Sequence, residues 1–345
     1  MSKMRLLITL LALFLCPHTL AGPKHSITKI VGRNSISEDD VNKIEQYAHG
    51  WAEDLLTANA IELREAQRKL IEPLEPAIAM SPYARSLYGK ALKDGFTQIL
   101  DINNSNEMSA VNALQIVSLL GTEQGCGILL NHADTSTEDR VALRHWASVG
   151  LGKSFKLGIL PDRRISAIAT LLADFASREP VWHVIARQFD SLTTLQEIPN
   201  LDSRQKDDIE SLSLELQVRA LQELVLDISK NKIADSRVKA LPFVLSSIRL
   251  QLVEPGLNKE AREKADQNIA PVLTLFVDTA IKHAMSAKED GHQLYDAYGE
   301  AIQSASFIID RILKVESNAT SAIELWAKDS LSEIAARLNT WKNLQ

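Results

Sequence analysis

The chain has very little cysteine, two residues among 345, Cys16 and Cys126. A disulfide framework is thereby excluded, so stability has to come from burying apolar surface, which 45% hydrophobic composition allows. Glycine and proline are scarce at 14 and 11, and most fall between periodic segments rather than inside them. No stretch alternates polar and apolar residues for long enough to predict a sheet. Positive charge is not in excess. A net charge of −6 supplies no attraction for nucleic acid or anionic membranes. Catalytic signatures are missing too. There is no phosphate-cradling glycine loop, no Gly-x-Ser-x-Gly elbow, no dinucleotide fingerprint, no His-Glu-x-x-His and no Cys-x-x-Cys. No cofactor and no metal are therefore expected.

What is present begins with residues 1–21, which have the three parts of a secretory signal peptide. Lys3 and Arg5 precede the apolar run Leu6 to Leu15, and Thr19-Leu20-Ala21 places small residues for cleavage before Gly22. The run is about half the roughly 20 residues that span a bilayer. Leu15 before Cys16 does not suit a lipoprotein signal. Export is expected, to the periplasm if the source is a Gram-negative bacterium and otherwise into the medium, with no integral membrane segment after cleavage. Residues 1–21 contain no acid, so losing Lys3 and Arg5 moves the charge from −6 to −8. Cys126 is left as a single free thiol, expected to be buried as a small hydrophobe, or else paired with another chain.

Residues 22–36 read as a flexible linker. From Ser37 onward the periodicity is helical, so the fold class is all-α. Helices are expected over 38–56 and 60–71, and from Ser81-Pro82 to about residue 100, followed by a polar loop at 101–106. Thr135 with Glu138 three residues later predicts a capping box. A long helix capped by Asp202 or Ser203 carries Leu214, Val218, Leu221, Val225 and Ile228 on one stripe. Further helices are expected over 236–253, 258–286, 292–315 and 320–341, with Pro271 kinking or dividing the second of these.

Within 107–200 the nearest approach to a repeat occurs. Ala110 to Gly121, Arg140 to Gly152 and Arg164 to Leu172 are alanine-containing amphipathic segments, the first two about thirty residues apart. With Asp134, Arg140-Val141, Ala147 and Leu151-Gly152, this region resembles the HEAT and armadillo class of helical repeats. The resemblance implies helix pairs packed through small residues, each closing on a glycine. The expected organisation is a solenoid-like domain over 37–200 followed by a bundle of longer helices over 201–345.

Candidate sites are few. Cys126, within Gly125-Cys126-Gly127 and near His132 and His145, lacks the surroundings of a known cysteine nucleophile. His283, Asp290, His292 and Asp296 fall short of a zinc set. Glu38-Asp39-Asp40 and Asp207-Asp208 sit at helix starts, where acids favour the helix dipole. Trp182-His183, just after Pro180, could instead rim a groove that receives a partner. The expected function is that of an exported non-catalytic helical protein that binds or scaffolds a protein or peptide. An exported enzyme with a dispersed site and a helical carrier of a small apolar ligand are the alternatives.

Overall fold

The computed structural model describes residues 25–345 except 34, 58, 105 and 316–319. The signal-peptide reading lies outside the described residues. Among the described residues the secondary structure is helical, with no strand, and no helix is long and apolar enough to cross a membrane. Two compact units divide between Ile99 and Leu100. The residues on either side of position 200 belong to the same unit.

The first unit contains α1 (Thr28–Val31), α2 (Glu38–Thr57), α3 (Ala60–Ile71) and α4 (Pro82–Gly95). The starts are set by side chains that satisfy the free N–H groups of the first turn. Ser37 Oγ accepts from Asp40 N at 3.2 Å, Asn59 forms a capping box with Glu62, and Ser81 Oγ accepts from Ala84 N. Tyr88 Oη, fully buried, donates to Leu70 O at 2.8 Å and ties α4 to α3. The stretch 22–36, read as a flexible linker, contains α1, and Ile27 and Val31 are fully buried. Ile27, Ile30 and Val31 are buried as one helical turn packs onto the 3-10 turns at Glu72–Leu74 and Pro76–Ile78, and Ser81 N donates to Val31 O at 2.9 Å.

The second unit holds the remaining long helices. They are α6 (Glu107–Val117), α7 (Glu123–Ala133), α8 (Val141–Lys156), α9 (Asp162–Arg178), α10 (Trp182–Thr193), α11 (Ser203–Ser229) and α12 (Leu241–Val253). They continue as α13 (Lys259–Asp290), α14 (His292–Leu313), α15 (Ala322–Ala327) and α16 (Leu331–Leu344), while α5 (Thr97–Leu100) is a short turn before them. Alternate helices lie side by side. α6, α8, α10, α12 and α14 form one row, α7, α9, α11 and α13 the other, and α7–α8, α9–α10 and α13–α14 pack across the rows.

Several boundaries differ from the sequence expectation for local reasons. α13 runs through Pro271 without a break, its apolar flank from Ile269 to Phe276 held in the core. The 236–253 segment starts as a 3-10 turn, Ser236–Ala240, because Pro242 occupies the first turn of α12. The 320–341 helix divides at Asp329, whose φ is 60°, and the break lets Trp326 turn onto α14. There its Nε1 donates to Tyr295 O at 2.9 Å, and Gly299 leaves room for the indole: a Cβ would meet Trp326 Cδ1 at 2.7 Å.

Gly150 and Gly152 do not end a helix, since α8 continues to Lys156. Instead they let neighbouring helices approach. A Cβ on Gly150 would lie 2.7 Å from Leu129 Cδ2 on α7, and one on Gly152 would lie 3.2 Å from Ser191 Cα on α10. The stripe on α11 is buried as the spacing predicts, and Asp202 supplies the cap, paired reciprocally with Gln205.

Candidate functional site

The geometry of the outer surface is set by a buried ionic network between α8 and α10. Arg144, on the first turn of α8, forms a two-pronged pair with Glu179 just before α10, both N–O distances being 2.9 Å. Both residues are buried. The third guanidinium nitrogen, Nη1, donates to Glu138 O and Asp139 O, each at 2.9 Å, and Glu179 Oε1 also accepts from Val181 N at 3.0 Å. Buried charges are tolerated only when paired and hydrogen-bonded to this degree.

Glu138 is the second member of the network and corrects the capping-box expectation. Helix α8 starts at Val141, so Glu138 lies in the preceding turn and its carboxylate is 1% exposed. It accepts from His132 Nδ1 at 2.7 Å and from Arg140 Nε and Nη2, each at 2.8 Å. Burial alone would raise the carboxyl, but the Arg140 guanidinium and the His132 imidazole outweigh it and bring its pKa down to about 2. Arg140 in turn donates to the carbonyls of Leu100, Asp101 and Asn104, fixing the polar loop. His132 is thereby committed to Glu138 rather than to Cys126.

With α8 and α10 held in rotation, their next residues lie half-buried at the surface. His145 and Trp146 follow Arg144 on α8, and Trp182 and His183 open α10. The rings form a chain: Trp146 to His145 at 5.7 Å, His145 to His183 at 5.9 Å, and His183 to Trp182 at 5.5 Å. Trp182 then stacks on Phe243 of α12 at 6.4 Å, with the planes 16° apart. On α12 the outer face continues through Leu250 and Val253. Phe243, Leu250 and Val253 are 61%, 62% and 52% exposed, an unusual density of apolar surface for one helix face. Arg249 reaches over the Phe307 ring of α14 at 5.6 Å. The strip therefore crosses four successive helices of one row, α8, α10, α12 and α14.

Chemically the strip is a packing surface. Burial, Arg187 and His183 lower the pKa of His145 below the ordinary imidazole value, so it is neutral at pH 7, and its Nδ1 has no hydrogen-bond partner. Among the described residues no carboxylate orients either imidazole as a general base, and no group of three or more His, Cys, Asp or Glu is placed to hold a metal ion.

The other sequence candidates are dispersed. Cys126 is buried at the floor of a groove of about 300 Å³ lined by Gly127, Leu130, Arg164, Ala167, Ile168 and Leu171, and burial pushes its pKa up to about 11. A thiol so raised is a poor nucleophile. Both nitrogens of His283 are engaged, by Tyr298 Oη at 3.0 Å and Asn231 O at 2.9 Å. A second groove, about 420 Å³, runs between α11 and α13. Its lining mixes polar and charged residues with Val218, Ala261 and Ala265, and Lys264 is paired to Glu215 at 2.8 Å.

The sequence reading singled out Trp182 and His183 but missed Phe243, Leu250, Val253 and Phe307. One signal was available for α12. Its apolar residues are spread around the helix, among Ser246, Ser247, Arg249 and Gln251, whereas a helix with one buried face needs only one apolar stripe. Compared with protein-family models and with curated proteins, the chain matches none.

Proposed function

We propose that this chain is an exported, non-catalytic helical protein that binds a protein or peptide through the strip running from His145 and Trp146 to Phe307. The observation that carries the reading is the aromatic and aliphatic side chains on the outer faces of four neighbouring helices, above an ionic network that fixes two of those helices. Aromatic anchors of low conformational freedom are what protein interfaces concentrate at their centres. The side-by-side packing of alternate helices supports the HEAT-like reading, in which one row of helices presents a continuous contact surface. The tripartite pattern of residues 1–21 supports export, and Edman sequencing of the protein from its host should begin at Gly22.

The test is affinity capture from the compartment that holds the mature protein, comparing wild type with Trp146→Ala and Trp182→Ala. A partner retained by the wild type and lost by both variants, with unfolding curves little changed, supports the reading. A partner set unaffected by either variant overturns it.

A further inference from the structure

The α12 sector of the strip has a feature that the rest lacks: its stripe is complementary to itself. Phe243, Ser246, Ser247 and Leu250 recur at three- and four-residue spacing on one side of α12, with Lys239 in the 3-10 turn before the helix and Glu254 just past its end. Reversed about the point between Ser246 and Ser247, the stripe maps onto itself. Phe243 then meets Leu250, and Lys239 meets Glu254. Two apolar residues, two small residues and two opposite charges thus fall in the order that an antiparallel, two-fold contact requires.

We propose that this face docks on the same face of a second copy of the chain, with α12 antiparallel to α12 of the partner. The inference rests on reading the strip as a protein-contact surface, and names the occupant of its α12 sector. Ser246 and Ser247, the latter bonded through its hydroxyl to Thr193 of α10 at 2.9 Å, are small residues at the crossing point and allow two helix axes to approach closely, toward the short end of the 8–10 Å range. Phe243 and Leu250 are each more than half exposed and would be covered by one another across the axis. Among the described residues neither the Lys239 ammonium nor the Glu254 carboxylate is paired with another side chain, so both charges are available to the second copy. The symmetry makes each pair twice.

Area also favours a contact wider than the helix alone. α12 has 13 residues, about 20 Å of helix, and one helix face falls short of the roughly 800 Å² per partner typical of a stable interface. Trp182 on α10 and Phe307 on α14 flank it, the first stacked on Phe243 and the second lying under Arg249. They extend the apolar surface over three helices. Salt should weaken the contact only modestly, because the charges lie at the rim and the rings at the centre.

Light scattering and sedimentation of the purified chain over a dilution series test the proposal. The wild type is expected at twice the mass of one chain, dissociating on dilution. Leu250→Asp, which adds a carboxylate to an exposed position, should run as a monomer with an unchanged helical spectrum. Lys239→Glu and Glu254→Lys should each weaken association about tenfold, and the double variant, in which the pair is reversed, should restore it. A wild type that is monomeric at every concentration overturns the proposal, as does a double variant no better than the singles. Monomeric protein that still captures a partner through Trp146 and Trp182 would remove this inference and leave the proposed function standing. Dimeric protein that captures nothing would do the reverse.

Discussion

Arg144 and His145 are consecutive residues on α8, and the two regions they belong to use the same helices for opposite ends. On the inner side, Arg144 and Glu179 are buried and satisfied by a two-pronged pair and by backbone groups. On the outer side, His145, Trp146, Trp182 and His183 contact one another edge to face or at a tilt and lead to the exposed face of α12. The inner cluster costs desolvation and recovers it through geometry, so it has one arrangement. The outer strip leaves apolar area in water, which is a standing cost for a chain with no partner. The difference shows how a fixed interior can hold an adhesive exterior. The ionic network fixes the rotation of both helices, and the rotation decides which rings are presented.

Breaking the inner cluster should have the largest effect. Arg144→Ala leaves Glu179 buried and unpaired, and about 3–5 kcal/mol of stability should be lost in urea unfolding. Replacing both partners, Arg144→Met with Glu179→Leu, should recover part of that loss, since two apolar groups leave no charge stranded. If the single variant costs no more than an exposed ion pair, the network does not set the helix rotation.

Acid probes the same side through Glu138. Its folded pKa of about 2 lies below the ordinary 4.5, so its stabilisation is fully present above pH 4.5. It is lost as the pH falls from 4.5 toward 2. The contribution is on the order of 3 kcal/mol, and Glu138→Gln should flatten that part of the stability profile. A profile of unchanged slope in the variant would show that the acid transition belongs to other carboxylates.

Packing within one row, between α8 and α10, comes next. Gly152→Ala should cost about 1–3 kcal/mol, because its Cβ would meet the Ser191 backbone. Gly127→Ala on α7, where nothing lies within 4 Å, should instead stabilise by about 0.5–1 kcal/mol through helix propensity. Thermal unfolding of the pair checks the contrast.

The outer strip should respond least in stability. Trp182→Ala removes one stacked and one edge contact and is expected to cost about 1 kcal/mol, while partner capture is lost. A large drop in stability would move Trp182 from the strip to the core.

Much of the helical content was legible along the chain. Asp202 and Ser81 cap helices where their position before a periodic run predicts, and the α11 stripe is buried residue by residue. Local chemistry decides such features, because a cap or a stripe is made by residues within a turn or two. Glu138 was misread because the Thr135 spacing satisfies a local rule, while Arg140 and His132 compete for the carboxylate in space. Gly150 and Gly152 were misread as helix ends for a related reason. A glycine that admits a neighbouring helix has the same sequence appearance as one that ends its own.

By itself, then, the sequence determined that the described chain is helical and without a disulfide framework, and where most helices begin, since capping, periodicity and composition act locally. Only the tertiary structure decided the site. The strip gathers residues from His145 to Phe307, more than a hundred positions apart, because alternate helices pack side by side. Which face each helix turns outward is fixed by buried contacts such as Arg144 with Glu179, and those contacts exist only once the chain has folded.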